Sequence, residues 1–408
     1  MLIHTPHPSG SAAHLLPQGE KVHHANDPLD PGTDIAVYVH WPYCARICPY
    51  CDFNVVRDRG RGEEQARLTA AILRDLEVQA DRVGPRRLAS IFFGGGTPSL
   101  MSPDAVATII ARIHDLFAPA APVEITLEAN PTDAEAAHFA NLAQAGINRL
   151  SLGVQSLDDA ALRFLGRNHS AEEARRAIAL AGQAFERLSI DLIYARPDQT
   201  VADWTAELHQ AIGLGFEHIS PYQLTLEPTT AFGRALARGA LIPPSEDLAA
   251  DLYEATQALL GSAGFEAYEV SNHARGLAAR SAHNLHIWRG GDYLGLGPGA
   301  HGRLTLDGIR SATVAHRGIT DYVDGVASGA PWAEHESMNS AEAAEDVILL
   351  GLRTVEGAAG AAFATLGLDQ RVASLSEDGL LVTTSAGRVI VTDRGRPVLD
   401  ALLKALLT

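Results

Sequence analysis

Between residue 34 and about residue 220 of this 408-residue chain, short apolar runs alternate with longer stretches of helical period. Residues 35–40, 88–93, 123–128, 149–154, 188–193 and 218–225 are short runs rich in apolar residues that read as strands. Between them, residues 63–82, 103–117, 132–145, 171–184 and 201–212 space their apolar side chains as amphipathic helices do. Ser102 followed by Pro103 marks one helix start: a hydroxyl to cap the free amides, then a residue with no amide to satisfy. Six such units with short links predict the α/β class and a parallel sheet, a partial (open) TIM-like β/α barrel. In barrels of this kind ligands bind at the C-terminal ends of the strands.

The rest of the chain reads differently. Residues 246–263 predict a helix, and a glycine-rich stretch runs from 288 to 302. Residues 340–352 and 399–407 predict helices, and 380–392 a hairpin around Ser385-Ala386-Gly387. Helices plus a hairpin suggest a small C-terminal α+β, winged-helix-like domain. Residues 339–408 hold six Lys/Arg against nine Asp/Glu, which favours protein contact or packing over DNA binding. The expected division is a mobile leader at 1–33, a barrel core at 34–225, an extension at 226–338 and the small domain at 339–408. The leader is rich in Pro, Gly, Ser and His without periodicity. Its His4, His7, His14, His23 and His24 are of a type that binds metal or heme, although an unstructured extension is the favoured account of them.

Composition narrows the function. A chain with 46% hydrophobic and 20% charged residues is expected to fold into a globular core. A formal charge of −17 gives no global attraction to nucleic acid. No run of about 18 apolar residues predicts a membrane span, and the first residues lack the basic-then-apolar order of a secretion signal. A cytoplasmic location with at most transient membrane contact is expected.

All three cysteines fall within eight positions: Cys44, Cys48 and Cys51. Three thiolates without a fourth cannot build an all-cysteine zinc site. They can ligate three irons of a [4Fe–4S] cluster and leave the fourth open to a small molecule. Gly94-Gly95-Gly96-Thr97-Pro98 follows the second predicted strand, where glycines let backbone amides approach a ligand. Polar residues then recur within or at the ends of successive strands: Glu128, Gln155 and Asp191. Such residues need partners when buried. Arg167 is suited to pair with a carboxylate.

The CxxxCxxC spacing resembles that of the radical SAM superfamily, and the further motifs resemble its HemN-like branch. These are Tyr38-Val39-His40 before the cysteines, Phe92–Ser99, Glu128-Ala129-Asn130-Pro131, Gly153-Val154-Gln155-Ser156 and Leu165-Gly166-Arg167-Asn168-His169. Later come Asp191-Leu192-Ile193-Tyr194, Tyr222–Pro228 and Tyr268-Glu269-Val270-Ser271-Asn272. The resemblance implies S-adenosylmethionine (SAM) contacts from Tyr38, Gly95, Gly96, Thr97, Glu128, Gln155, Arg167 and Asp191. Coproporphyrinogen dehydrogenases of the branch carry a further cysteine two residues after the third; here that position is Phe53, as in HemW-like heme chaperones. Those proteins also have an HNxxYW motif associated with heme. This chain reads His283-Asn284-Leu285-His286-Ile287-Trp288, with Ile287 in place of the aromatic, so His283 and then His286 are the implied heme ligands. A structural His-Asn pair is the competing account of that motif. His301 also matches the branch, without an assigned role. Ala195-Arg196-Pro197 stands where many relatives have Gly-Leu-Pro, a change expected at the substrate-facing rim.

The resemblance implies a chaperone that binds a [4Fe–4S] cluster, SAM and heme, and passes heme to a respiratory membrane protein. The alternative is an enzyme, an oxygen-independent coproporphyrinogen III oxidase. A heme-degrading radical SAM methyltransferase is a third option.

Overall fold

The computed structural model describes residues 33–408, so the leader and its histidines His4, His7, His14, His23 and His24 lie outside the described residues. Among the described residues, twelve strands join one sheet. In chain order they are β1 Asp34–Trp41, β2 Arg87–Gly95, β3 Ala118–Ala129, β4 Arg149–Gln155, β5 Arg187–Tyr194 and β6 His218–Gln223. Then come β7 Glu266–Glu269, β8 Asn272–Ala274, β9 Asp292–Leu296, β10 His301–Leu306, β11 Ile309–Ala315 and β12 Trp332–Ser337. The order across the sheet is β12-β11-β10-β9-β1-β2-β3-β4-β5-β6-β8-β7. From β9 to β6 neighbouring strands are parallel; the flanking strands at both edges are antiparallel.

The six anticipated parallel strands form, and β9 adds a seventh beside β1. Its sequence, Asp-Tyr-Leu-Gly-Leu, is short and glycine-bearing, so nothing local marks it; the pairing spans some 250 residues. The predicted helices form at Gly62–Val83, Pro103–Leu116, Ala171–Ala184 and Val201–Gly213. Ser102 caps the second by accepting from the Ala105 amide, and Ser170 with Glu173 closes a capping box on the third. The helix expected over 132–145 is instead two pieces, Asp133–Ala136 and Phe139–Gln144. Glu135, on the first, accepts from the Ser99 hydroxyl and the Asn130 amide (2.8 Å), which ties that turn to the strand ends.

One hydrophobic cluster runs from Ile35 to Val326, so the barrel and most of the following segment share a core. A second cluster joins Ala344 to Leu406. It is built from the helices Ser340–Gly351, Gly360–Thr365, Asp369–Glu377 and Leu399–Leu407 around a three-stranded sheet of Ala358–Ala359, Arg388–Val391 and Leu381–Thr383. Arg353 holds this unit to the barrel side by an ion pair with the fully buried Glu269.

Candidate functional site

The cysteine loop leaves β1 and is clamped at both ends. Tyr43–Cys44 pairs in parallel with Val56–Arg57. The Gly96 and Thr97 amides donate to Trp41 O and Tyr43 O, both at 2.8 Å, so the glycine turn after β2 lies directly against it. The three thiols are free. Among the described residues no group of three His, Cys, Asp or Glu is spaced to hold a single metal ion. Three thiolates can each take a different iron of a cubane cluster. Burial pushes the Cys44 thiol up and the Cys51 thiol to about 11, so ligation must supply the charge that makes thiolates of them.

Arg167 bridges the loop to the strands. Its Nη1 donates to Cys48 Sγ at 3.3 Å, and its Nη2 donates to Gly153 O at 2.8 Å and to Asn130 Oδ1. Asn130 in turn donates to the Thr97 hydroxyl at 3.1 Å. Asn130 carried no assignment from the sequence; its place directly after β3, ahead of Pro131, is the signal that marks it. Arg167 Nε and Gln155 Oε1 are buried without a partner, and Gln155 sits at φ +65°, a strained conformation for a residue other than glycine.

The remaining predicted ligands converge in the same recess. Glu128 accepts from the Gly95 amide at 3.2 Å. Register places Glu128 beside Ser151, Ser151 beside Ser189, and Asp191 beside Ser220. Burial raises Glu128 to about 7, helped by the charge of Asp191, and burial raises Asp191 to about 6. The two carboxyls therefore repel one another across the curved sheet while both are only half buried. Tyr38 meets the ring of His40; because Asn54 O accepts from His40 Nε2 (2.8 Å), the Nδ1 of the neutral ring is the acceptor and the Tyr38 hydroxyl donates (3.0 Å). Gly95 has φ +105°, and a Cβ there would come within 2.4 Å of the His40 ring; a Cβ on Gly96 would come within 2.7 Å of Trp41 O. Two carboxyls, the glycine turn with its amides and the Arg167 guanidinium are groups that pair with hydroxyls, amines and carboxylates.

His283 and His286 lie deeper, on the helix Ala282–Trp288 packed against β2. His283 is 2% exposed, stacks on Phe92 at 4.9 Å and shares a 2.9 Å hydrogen bond between its Nδ1 and the Ser90 hydroxyl. Burial lowers it to about 3, so it stays neutral, and its Nε2 has no partner. His286 donates from Nε2 to Asp292 O at 2.7 Å, which leaves the Nδ1 lone pair bare and unpartnered. Each ring therefore keeps one nitrogen free, within the interior. His301, at the start of β10, is exposed.

One expectation is corrected. Arg196 does not face the substrate rim: it is buried, donating to Glu207 Oε2 at 2.6 Å, to the Ser156 hydroxyl at 3.0 Å and to Ile193 O at 3.2 Å. The neighbouring Ala195 takes φ +58°, a conformation that glycine adopts freely.

Residues 38–211 match the Radical SAM superfamily. The chain is 39% identical over 393 residues to radical S-adenosyl methionine domain-containing protein 1, mitochondrial, of Bos taurus, covering 91% of this chain and 87% of that one. It is 35% identical over 382 residues to heme chaperone HemW of Mycobacterium tuberculosis (strain ATCC 25618 / H37Rv), covering 92% and 96%. Among solved structures, coproporphyrinogen III oxidase (HemN) of Escherichia coli, a radical SAM enzyme, superposes with a TM-score of 0.75 at 22% identity, covering 92% of this chain and 91% of that one.

Proposed function

The chain belongs to the radical SAM superfamily, on its HemW-like branch, and from that premise we propose that it is a heme chaperone that carries heme to a respiratory membrane protein. The observation that carries this reading is residue 53. The barrel holds only three thiols, and the position two beyond the third is Phe53, exposed to water. The identity to a heme chaperone through both the barrel and the C-terminal unit supports it, whereas likeness to the oxidase rests on fold alone.

In this reading Cys44, Cys48 and Cys51 hold the [4Fe–4S] cluster. Tyr38, Gly95, Gly96, Thr97, Glu128, Gln155, Arg167 and Asp191 hold SAM. When bound, the pair supplies one-electron chemistry at the open iron. Arg167 keeps a positive charge on Cys48, and Glu128 and Asp191 orient the nucleoside. His283 and His286 supply the neutral imidazole that heme iron takes, each through its unpartnered nitrogen. Both are buried, so ligation requires the helix Ala282–Trp288 to expose them. The functional division is a barrel core at 34–225, an extension at 226–338 and a winged-helix-like unit at 339–408 that docks on the barrel side. No described helix is long and apolar enough to cross a membrane, which is compatible with transient contact with a membrane recipient.

The test is one anaerobic, cluster-loaded preparation used twice. Heme titration should give a saturable Soret band, weakened in His283→Ala or His286→Ala. Incubation with coproporphyrinogen III, SAM and reductant should give no protoporphyrinogen. Its formation would overturn the chaperone in favour of the oxidase.

A further inference from the structure

We propose that heme first docks outside the barrel, on the loop that carries the thiols, with its propionates in an arginine-lined cavity; the inference rests on the heme-chaperone reading and adds where the cargo lands. Of the thirteen large apolar side chains that are exposed among the described residues, three fall within ten positions: Ile47 at 45%, Phe53 at 63% and Val56 at 38%. Scattered exposed apolar residues are ordinary, but a run of them on one loop marks a binding surface. Their exposure is not fraying. Asn54, between Phe53 and Val56, donates to Pro298 O at 2.9 Å and Arg317 O at 3.0 Å while its own carbonyl accepts from His40.

The same stretch is a local exception to the charge of the chain. Residues 46–61 hold Arg46, Arg57, Arg59 and Arg61 against Asp52 and Asp58, a balance of 4 − 2 = +2 in a chain of −17. Val56, Arg57, Arg59, Arg61, Glu64 and Ile319 line a surface cavity of about 240 Å³. The one carboxylate there is already engaged: Glu64 accepts from the Tyr43 hydroxyl at 2.9 Å and from Arg61 at 3.3 Å. No ion pair or hydrogen bond among the described residues reaches the side chains of Arg57 and Arg59. Two uncommitted guanidiniums beside an apolar ledge suit a flat apolar ring with two carboxylates at one edge. Arg57 is registered with Cys44, so the cavity lies one strand spacing from a cluster thiol.

The test titrates the anaerobic, cluster-loaded full chain with heme and with heme dimethyl ester, whose propionates carry no charge. The wild type should bind heme at least about tenfold more tightly than the diester. Arg57→Gln with Arg59→Gln should abolish that preference; Phe53→Ser should weaken both ligands alike. A preference that survives the double substitution overturns the site and leaves the chaperone intact. A wild type that binds neither ligand overturns the chaperone itself. Sedimentation with anionic phospholipid vesicles, lost in the double variant while heme affinity is unchanged, would assign the arginines to a membrane surface and overturn the docking site.

Discussion

Glu128→Gln should remove much of the pH dependence of stability that this buried carboxyl imposes without SAM. A carboxyl held at about 7 instead of its ordinary 4.5 costs the folded, SAM-free chain about 3 kcal/mol once it is fully ionised. Below 4.5 the folded and unfolded states are both protonated and the cost vanishes. Between 4.5 and 7 the folded state keeps a proton that the unfolded state has released, so stability falls as pH rises. From pH 5.5 to pH 8 this group alone should lower stability by about 2 kcal/mol. Asp191 acts in the same direction, from 3.8 to about 6, but the two repel each other, so their contributions overlap and are not summed. Trp41 and Trp204 are fully buried in the barrel core, so their fluorescence follows its loss in urea. Unfolding curves at pH 5.5 and 8 without SAM should show the wild type losing about 2 kcal/mol more than Glu128→Gln. Equal losses in the two proteins would refute the argument that burial in this recess holds the carboxyl protonated.

The other expectations concern groups whose partners the structure fixes. Arg196→Leu should cost about 3–5 kcal/mol by leaving Glu207 buried and unpaired, and adding Glu207→Gln should recover at least half, since the amide oxygen still accepts from Ser156 and Leu157; calorimetric melting of the two variants checks this. Ala195→Gly should stabilise the chain by about 0.5–1 kcal/mol in urea unfolding, relief at φ +58° outweighing the entropy of glycine. Gly95→Ala should abolish SAM binding in equilibrium dialysis, because His40 is held by Tyr38 and Asn54 and cannot retreat from the added methyl. Arg353→Met should make the C-terminal unit at least severalfold more sensitive to limited proteolysis, because the buried Glu269 loses its cation.

The barrel was legible because its strands are buried on both faces and its helices carry their own caps, signals contained within about fifteen residues. What was illegible is what depends on distance. Strand β9 becomes a barrel strand only through its pairing with β1. The antiparallel β10, β11 and β12 extend that edge and repeat no βα pattern. The cysteines, the glycine turn, Glu128, Gln155, Arg167 and Asp191 could be named from motifs, yet the links between them could not. That Arg167 spans Cys48, Asn130 and Gly153 requires the strand ends to curl toward one loop. Arg196 shows the converse error. An arginine near a strand end suggests a rim residue, but its orientation is set by Glu207, eleven positions on, which the sequence does not pair with it.

The polar groups around Asp191 form two runs of hydrogen bonds. Arg149 donates to the Ser189 hydroxyl at 3.2 Å, Ser189 to Ser151 at 2.9 Å, and Ser151 to Asp191 at 3.4 Å. On the other side Ser220 lies beside Asp191 and donates to Asn272 at 3.1 Å, Asn272 donates to Glu269 at 2.8 Å, and Glu269 meets Arg353 of the C-terminal unit. Ser151, Ser189, Ser220, Asn272 and Glu269 are buried, and none of them can turn without leaving its neighbour unsatisfied, at a cost of about 1–3 kcal/mol. Asp191 is therefore held on one side by hydrogen bonds that begin at Arg149, while Ser220, which gives its one proton to Asn272, belongs to a second run that ends at Arg353. A ligand that draws a charge onto Asp191 strengthens the hydrogen bonds that run to it from Arg149 through Ser189 and Ser151.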